Sequence, residues 1–151
     1  MEFFPQRLTQ EESNAMVDRI EKHFRSRGFG LYAAELRREG RFVGYVGLHA
    51  PTFEAHFTPC VEIGWRFASD VWGRGLATES ARAVVRHAFD ALSLDEIVSF
   101  TVRANQRSIR VMQKLGMTHY AAGDFEHPNL PEGHPLRHHV LYRLKRRAAA
   151  G

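Results

Sequence analysis

The chain has 151 residues, 44% of them hydrophobic and 25% charged, with a formal charge of +4. That length suits one domain with a proper core, and that composition excludes a disordered chain. No run approaches the ~20 apolar residues of a membrane span, the opening residues lack the basic-then-apolar pattern of a signal peptide, and the arginines are scattered rather than striped as for nucleic acid.

Residues 1–151 therefore read as one domain, closing on a basic, alanine-rich tail from about residue 145. The stretch "TQEESNAMVDRIEKHFRSRG" predicts a helix. Thr9 and Glu12 have capping-box spacing, Met16, Val17, Ile20 and Phe24 recur at helical spacing, and Gly28 stops the run. "LYAAELR" and "RFVGYVGLH" read as two strands joined by a tight turn at Arg38, Glu39 and Gly40. "APTFEAHFTP" reads as loop, and "CVEIGWRF" as a third strand with Val61, Ile63, Trp65 and Phe67 on one face.

A helix is expected from about Thr78 to Leu92, burying Ala81, Val84, Val85, Ala88, Phe89 and Leu92. "EIVSFTVR" is strand-like. "NQRSIRVMQKLG" reads as a short helix with Asn105 as N-cap and Gly116 just past its end. "MTHYAAGDF" and "HHVLYRL" read as two last strands around the loop "EHPNLPEGHPLR". The order α-β-β-β-α-β-α-β-β defines an α+β, or mixed α/β, domain with a largely antiparallel sheet.

Between the third strand and the following helix lies "DVWGRGLATES". Gly73, Gly75 and Ala77 keep side chains away from a helix start, where backbone N–H groups lack internal partners and the dipole is positive. A pyrophosphate could touch those amides directly, and Arg74 could add a charged contact. An ordinary strand-to-helix turn is the alternative. A P-loop fits poorly because no Gly-Lys-Ser/Thr ends the stretch, and a dinucleotide fingerprint fits poorly because Thr78 stands at its third glycine.

Three stretches together resemble the GNAT acetyltransferases, which take acetyl groups from acetyl-CoA. "WGRGLATESARAVVRHAF" is similar to their pyrophosphate motif, with Trp72 where Gln or Arg is usual. "ANQRSIRVMQKLGM" resembles their second motif, and "VEIGWRF" the strand holding the pantetheine arm. Trp72 also resembles the Rim-type branch, which acetylates protein N-terminal amines, including those of ribosomal proteins. The resemblance implies a central sheet flanked by helices. It implies acetyl-CoA contacts at Phe67, Trp72, Gly73, Arg74, Gly75, Leu76, Ala77, Thr78 and Asn105.

Transfer from a thioester to an amine needs a neutral amine, donors for the developing oxyanion, and a proton for the leaving thiolate. An α-amine, with a pKa near ~8, needs only a modest base. Glu62 points opposite to Val61 and Ile63, and by resemblance that face looks toward the acceptor, which makes it the candidate base. Ser108, one turn into the second-motif helix, could bond the sulfur or the CoA. Many relatives place a tyrosine acid where Met112 stands, so Ser108 or water must serve here. By the same resemblance His134 and Arg137 could touch the acceptor.

Nine histidines show no helical metal-ligand pair, so no metal is expected. The lone Cys60 excludes an internal disulfide and fits a reducing, cytoplasmic compartment. It could act as an acyl carrier, though a small structural cysteine is the plainer reading. Relatives usually carry a strand and a helix before the region matching "MEFFP", so either the natural start lies upstream or these elements are lost. Their loss would leave "LYAAELR" at an open sheet edge, and the simplest cover would be a homodimer. The expected function is acetyl transfer to a primary amine, with no nucleic-acid or membrane partner. A CoA-binding or interaction protein with little catalysis is the alternative.

Overall fold

The computed structural model describes residues 8–147. The expectations placed on "MEFFP" and on the end of the tail lie outside those residues. The first element is helix α1 (Gln10–Arg27). Its capping box forms as the spacing predicts: Thr9 Oγ1 accepts the Glu12 N–H at 3.1 Å, and Glu12 Oε2 accepts the Thr9 N–H at 3.0 Å.

Strands β1 (Leu31–Leu36) and β2 (Arg41–His49) form an antiparallel hairpin, and β2 pairs antiparallel with β3 (Glu62–Phe67). Helix α2 (Leu76–Arg86) carries the chain across to β4 (Glu96–Thr101), which lies parallel to β3. Helix α3 (Gln106–Lys114) then leads to β5 (Thr118–His119), β6 (Phe125–Glu126) and β7 (His138–Lys145). The sheet order is β1-β2-β3-β4-β7-β5, with β6 also on β7. All pairs but β3–β4 are antiparallel, so the mixed α+β reading holds. Strand β1 is an outer strand among the described residues, where "LYAAELR" was expected.

The core lies between the sheet and helices α2 and α3. Leu48 and Ile63 from the second and third strands meet Ala81 and Ala88 from the α2 segment, Ile97 from β4, and Ile109 and Met112 from α3. Three expectations shift. Helix α2 begins at Leu76 rather than Thr78 and runs on through a wide π-turn over His87–Ala91. Strand β3 begins at Glu62, two residues later than expected. "MTHYAAGDF" is not one strand, because residues 120–124 face only residues 140–141 of β7. The surplus coils into a 3₁₀ turn at Ala121–Gly123, and Asp124 Oδ1 accepts the Leu141 N–H at 2.9 Å in place of a backbone carbonyl.

Helix α1 departs from its amphipathic pattern in a different way. None of its residues is buried, and Val17 is 52% exposed. His23 anchors its last turn: Nδ1 donates to Phe29 O at 2.7 Å, and Nε2 accepts the Ala50 N–H at 3.0 Å. Among the described residues, no helix is long and apolar enough to cross a membrane.

Strand β1 approaches β2 closely. A Cβ on Gly47 would stand 2.2 Å from Gly30 O and 2.8 Å from Leu31 Cα, both backbone atoms that cannot swing aside. Gly47→Ala should therefore destabilise the fold by about 3 kcal/mol, at the upper end of overpacking costs. Denaturant unfolding of the variant checks this.

Candidate active site

Strands β3 and β4 share one register position, Glu62 opposite Val98, with the Val98 N–H donating to Val61 O at 2.9 Å. Past that bridge no ladder joins them, and the sheet opens. Two adjoining spaces lie around the opening. One is a groove of about 1130 Å³ beside the β3–α2 turn, and the other is a cavity of about 490 Å³ around Glu62. Trp65, Asn105 and Ser108 line both, so the spaces meet at these side chains.

The β3–α2 turn is built for backbone exposure. Gly73 and Gly75 have φ of 81° and 75°, a left-handed conformation that side chains disfavour. A Cβ at either would meet nothing within 4 Å, so protein packing does not demand these glycines. Gly75 caps α2 without a side-chain bond, leaving the first-turn N–H groups to an outside acceptor. Phe67, Trp72, Gly73, Gly75, Leu76, Ala77 and Thr78 all line the groove. Arg74 does not, and is exposed. The Trp72 indole N–H donates to Phe67 O at 2.9 Å, and the Arg107 guanidinium stacks 4.4 Å from its ring. Trp72 thus braces the turn with its ring.

Asn105 caps α3, its Oδ1 accepting the Ser108 N–H at 3.3 Å, while its Nδ2 donates to Thr101 Oγ1 at 3.1 Å. Ser108 Oγ accepts from the Trp65 indole at 3.3 Å, which leaves its own hydroxyl proton to donate. Met112 is 1% exposed and belongs to the core.

Glu62 faces the cavity and retains some accessible surface, yet protein crowds it from every other side. Burial pushes its carboxyl up to about 8. It stands directly across from His49 on β2, and both line the cavity. Burial and the neighbouring His23 lower the His49 pKa. Cys60 is a neutral thiol, pushed up to about 11 by burial and then by Glu62 and Glu96, which makes it a poor nucleophile.

His134 and Arg137 line neither space. The ring of His134 folds back on its own loop, Nδ1 accepting the Leu136 N–H at 3.0 Å. The stems of that loop reach the cavity instead, through His127 and His139. These two, with Tyr45, His49, Arg19 and His23, are among the cavity residues that sequence reasoning missed. Only His49 carried a signal, since pairing the hairpin strands to β3 sets it opposite Glu62. Among the described residues, no group of three or more His, Cys, Asp or Glu side chains is arranged to hold a metal ion.

A glycine turn at a helix start, a parting sheet and a long groove beside them make a site shaped for an elongated ligand with an anionic group. Residues 1–118 match the sequence model of the Acetyltransferase (GNAT) domain, and the chain belongs to that family. It is 37% identical over 114 residues to the FsC-acetyl coenzyme A-N(2)-transacetylase of Aspergillus fumigatus, covering 70% of this chain and 48% of that protein. The chain spans less than two thirds of the length of the first curated relatives it matches. Its fold is similar to a putative GNAT-family acetyltransferase from Bordetella pertussis, with TM-score 0.76 at 24% identity, covering 90% and 77% of the two chains. It is also similar to the ribosomal-protein-S5-alanine acetyltransferase of Vibrio fischeri, with TM-score 0.73 at 16% identity, covering 94% and 77%.

The raised Glu62 carboxyl carries a stability consequence. The folded state holds this proton up to about 8, whereas an unfolded glutamate releases it in the ordinary carboxylate range. Stability therefore falls as pH rises between those limits and levels off above. Glu62→Gln removes the ionisation, so the variant should melt several degrees above the parent at alkaline pH. That gap should narrow in mild acid, which calorimetry at two pH values checks.

Proposed function

We propose that this chain is an acetyl-CoA-dependent N-acetyltransferase that passes an acetyl group directly to a primary amine, here a peptide N-terminal α-amine. One observation carries the reading: the groove and the cavity meet at Trp65, Asn105 and Ser108, with Glu62 in the cavity beyond. The groove would take acetyl-CoA, its pyrophosphate on the free amides of the α2 start. The thioester would then sit at the junction, and the amine would approach through the cavity.

Glu62 would take the proton of the incoming amine. Its carboxyl at about 8 matches an α-amine near ~8 better than a lysine near ~10.4. The Ser108 hydroxyl would donate to the sulfur or its departing thiolate, and Tyr45 lines both spaces beside it. No acyl-enzyme is needed, which agrees with the neutral thiol of Cys60. The names of two relatives support the class, one a transacetylase and one an acetyltransferase for the alanine of a ribosomal protein.

The binding half is tested at Gly75. Aspartate tolerates left-handed backbone better than most residues, so Gly75→Asp should fold. Its carboxylate would repel the pyrophosphate and compete for the amides. CoA binding by calorimetry should weaken at least ~100-fold, about 2.7 kcal/mol; unchanged binding would place CoA elsewhere.

The catalytic half is tested by pH. Glu62 acts as a base only when ionised, so kcat/KM for a peptide acceptor should climb with pH toward about 8 and flatten above. Glu62→Gln should lower kcat about 10²-fold or more while acetyl-CoA affinity holds. Thiol release from acetyl-CoA, followed across pH, reads both.

A further inference from the structure

His127 and His139 stand on the stems of the loop between β6 and β7. Phe125 pairs with His139, and the His127 N–H donates to Arg137 O at 2.7 Å, so the ladder continues beyond β6. That register makes His127 and His139 diagonal neighbours on one face of the hairpin. Their ring centroids are 5.0 Å apart, and both rings line the cavity that holds Glu62. Phe53 and Phe125 pack against them, with Phe53 4.6 Å from His127 and Phe125 5.6 Å from His139, which fixes the rings in place.

Their backbone bonds dictate opposite tautomers. His127 Nδ1 accepts the Asn129 N–H at 3.2 Å, so this nitrogen is bare and the neutral ring carries its proton on Nε2. His139 Nδ1 lies 3.0 Å from Arg137 O, and a carbonyl can only accept, so Nδ1 carries the proton and Nε2 is bare. One ring thus offers a donor and its neighbour an acceptor. Neither Nε2 has a hydrogen-bond partner among the described residues. The electrostatics agree with neutral rings: burial and then the neighbouring His139 push His127 down to about 4, and burial, aided by His138, lowers His139.

A donor and an acceptor side by side match one chemical group above others, the edge of an extended peptide. There the N–H and C=O of one residue face the same side, as in the paired positions of an antiparallel ladder. A polyamine offers no acceptor for His127 and would want several carboxylates, whereas among the described residues Glu62 is the one carboxylate lining this cavity. We propose that His127 and His139 read the backbone edge of the acceptor, so that the substrate is an amine followed by an extended peptide rather than a simple amine or polyamine. This rests on the acetyltransferase reading above and adds two specificity-determining residues to it.

The test compares alanyl-alaninamide with its ester analogue, in which oxygen replaces the peptide N–H. The amine is retained, and only the group that His139 would accept from is lost. The amide should exceed the ester at least ~10-fold in kcat/KM, because a site built to bond an N–H rejects the analogue without it. His139→Phe should collapse that ratio toward one. His127→Phe should weaken amide and ester alike, since both keep the carbonyl, and His127→Gln, which keeps a donor, should restore part of the loss. A parent enzyme that uses both equally, or a ratio untouched by His139→Phe, overturns the proposal. If no amine releases thiol from acetyl-CoA, the acetyltransferase reading fails by itself. Calorimetry of the two compounds against the protein with CoA then decides the proposal: amide-selective heat lost in His139→Phe supports it, and equal heats or none overturn it.

Discussion

The parting of β3 from β4 is the constraint on which the rest of the molecule depends. Parallel neighbours joined through a helix would ordinarily pair along their length. Here they share one bridge, at Glu62 and Val98, and then separate. The core beneath stays continuous because Ile63 and Ile97 are fully enclosed under the helices. The opening is therefore confined to the sheet, and it sets the groove against the cavity. It also decides that Glu62, the residue of the bridge itself, is held by backbone on both sides while its side chain faces the space beyond.

That position explains the electrostatics. A carboxyl fixed at the closed end of the opening is crowded by protein, and among the described residues no basic side chain forms an ion pair with it. An ion pair would hold it ionised and weakly basic. Burial without a partner has the opposite effect, raising basicity at a cost in stability once the group ionises. The cavity histidines fit the same pattern, since burial lowers His49, His127 and His139. The space thus holds a protonable carboxyl and several imidazoles, with Arg19 of α1 also on its wall. In the reading proposed above, an amine entering it would meet Glu62 and these imidazole nitrogens.

Local rules were readable from the sequence, and relations between distant segments were not. The Thr9–Glu12 capping box, the Gly28 stop, the Asn105 cap and the Gly73–Gly75 turn each depend on a few adjacent residues, and each forms where the spacing puts it. Family resemblance supplied the groove, whose lining includes every expected contact except Arg74. The loop after β6 shows the limit. Sequence pointed to the right segment but to its tip, at His134 and Arg137. Which stem residues reach the cavity depends on the register of β6 against β7, and that register follows from Asp124 replacing a backbone acceptor. A two-residue strand carries no periodicity from which such a pairing could be read.

Helix α1 unites the local and the distant. Its capping, its stop signal and its apolar row all specify a helix, yet the row is not buried against the sheet. Met16 and Ile20 instead line both the groove and the cavity, while His23 ties the last turn to Phe29 and Ala50. The usual stabilisation of an amphipathic helix, the burial of its apolar face, is thereby left incomplete. Whatever occupies the groove and cavity completes that face. Because such an occupant binds only the folded arrangement, its binding and the docking of α1 are linked by mass action. The half-buried apolar row is then part of the lining, and its incomplete packing is the same feature as the open space beside it.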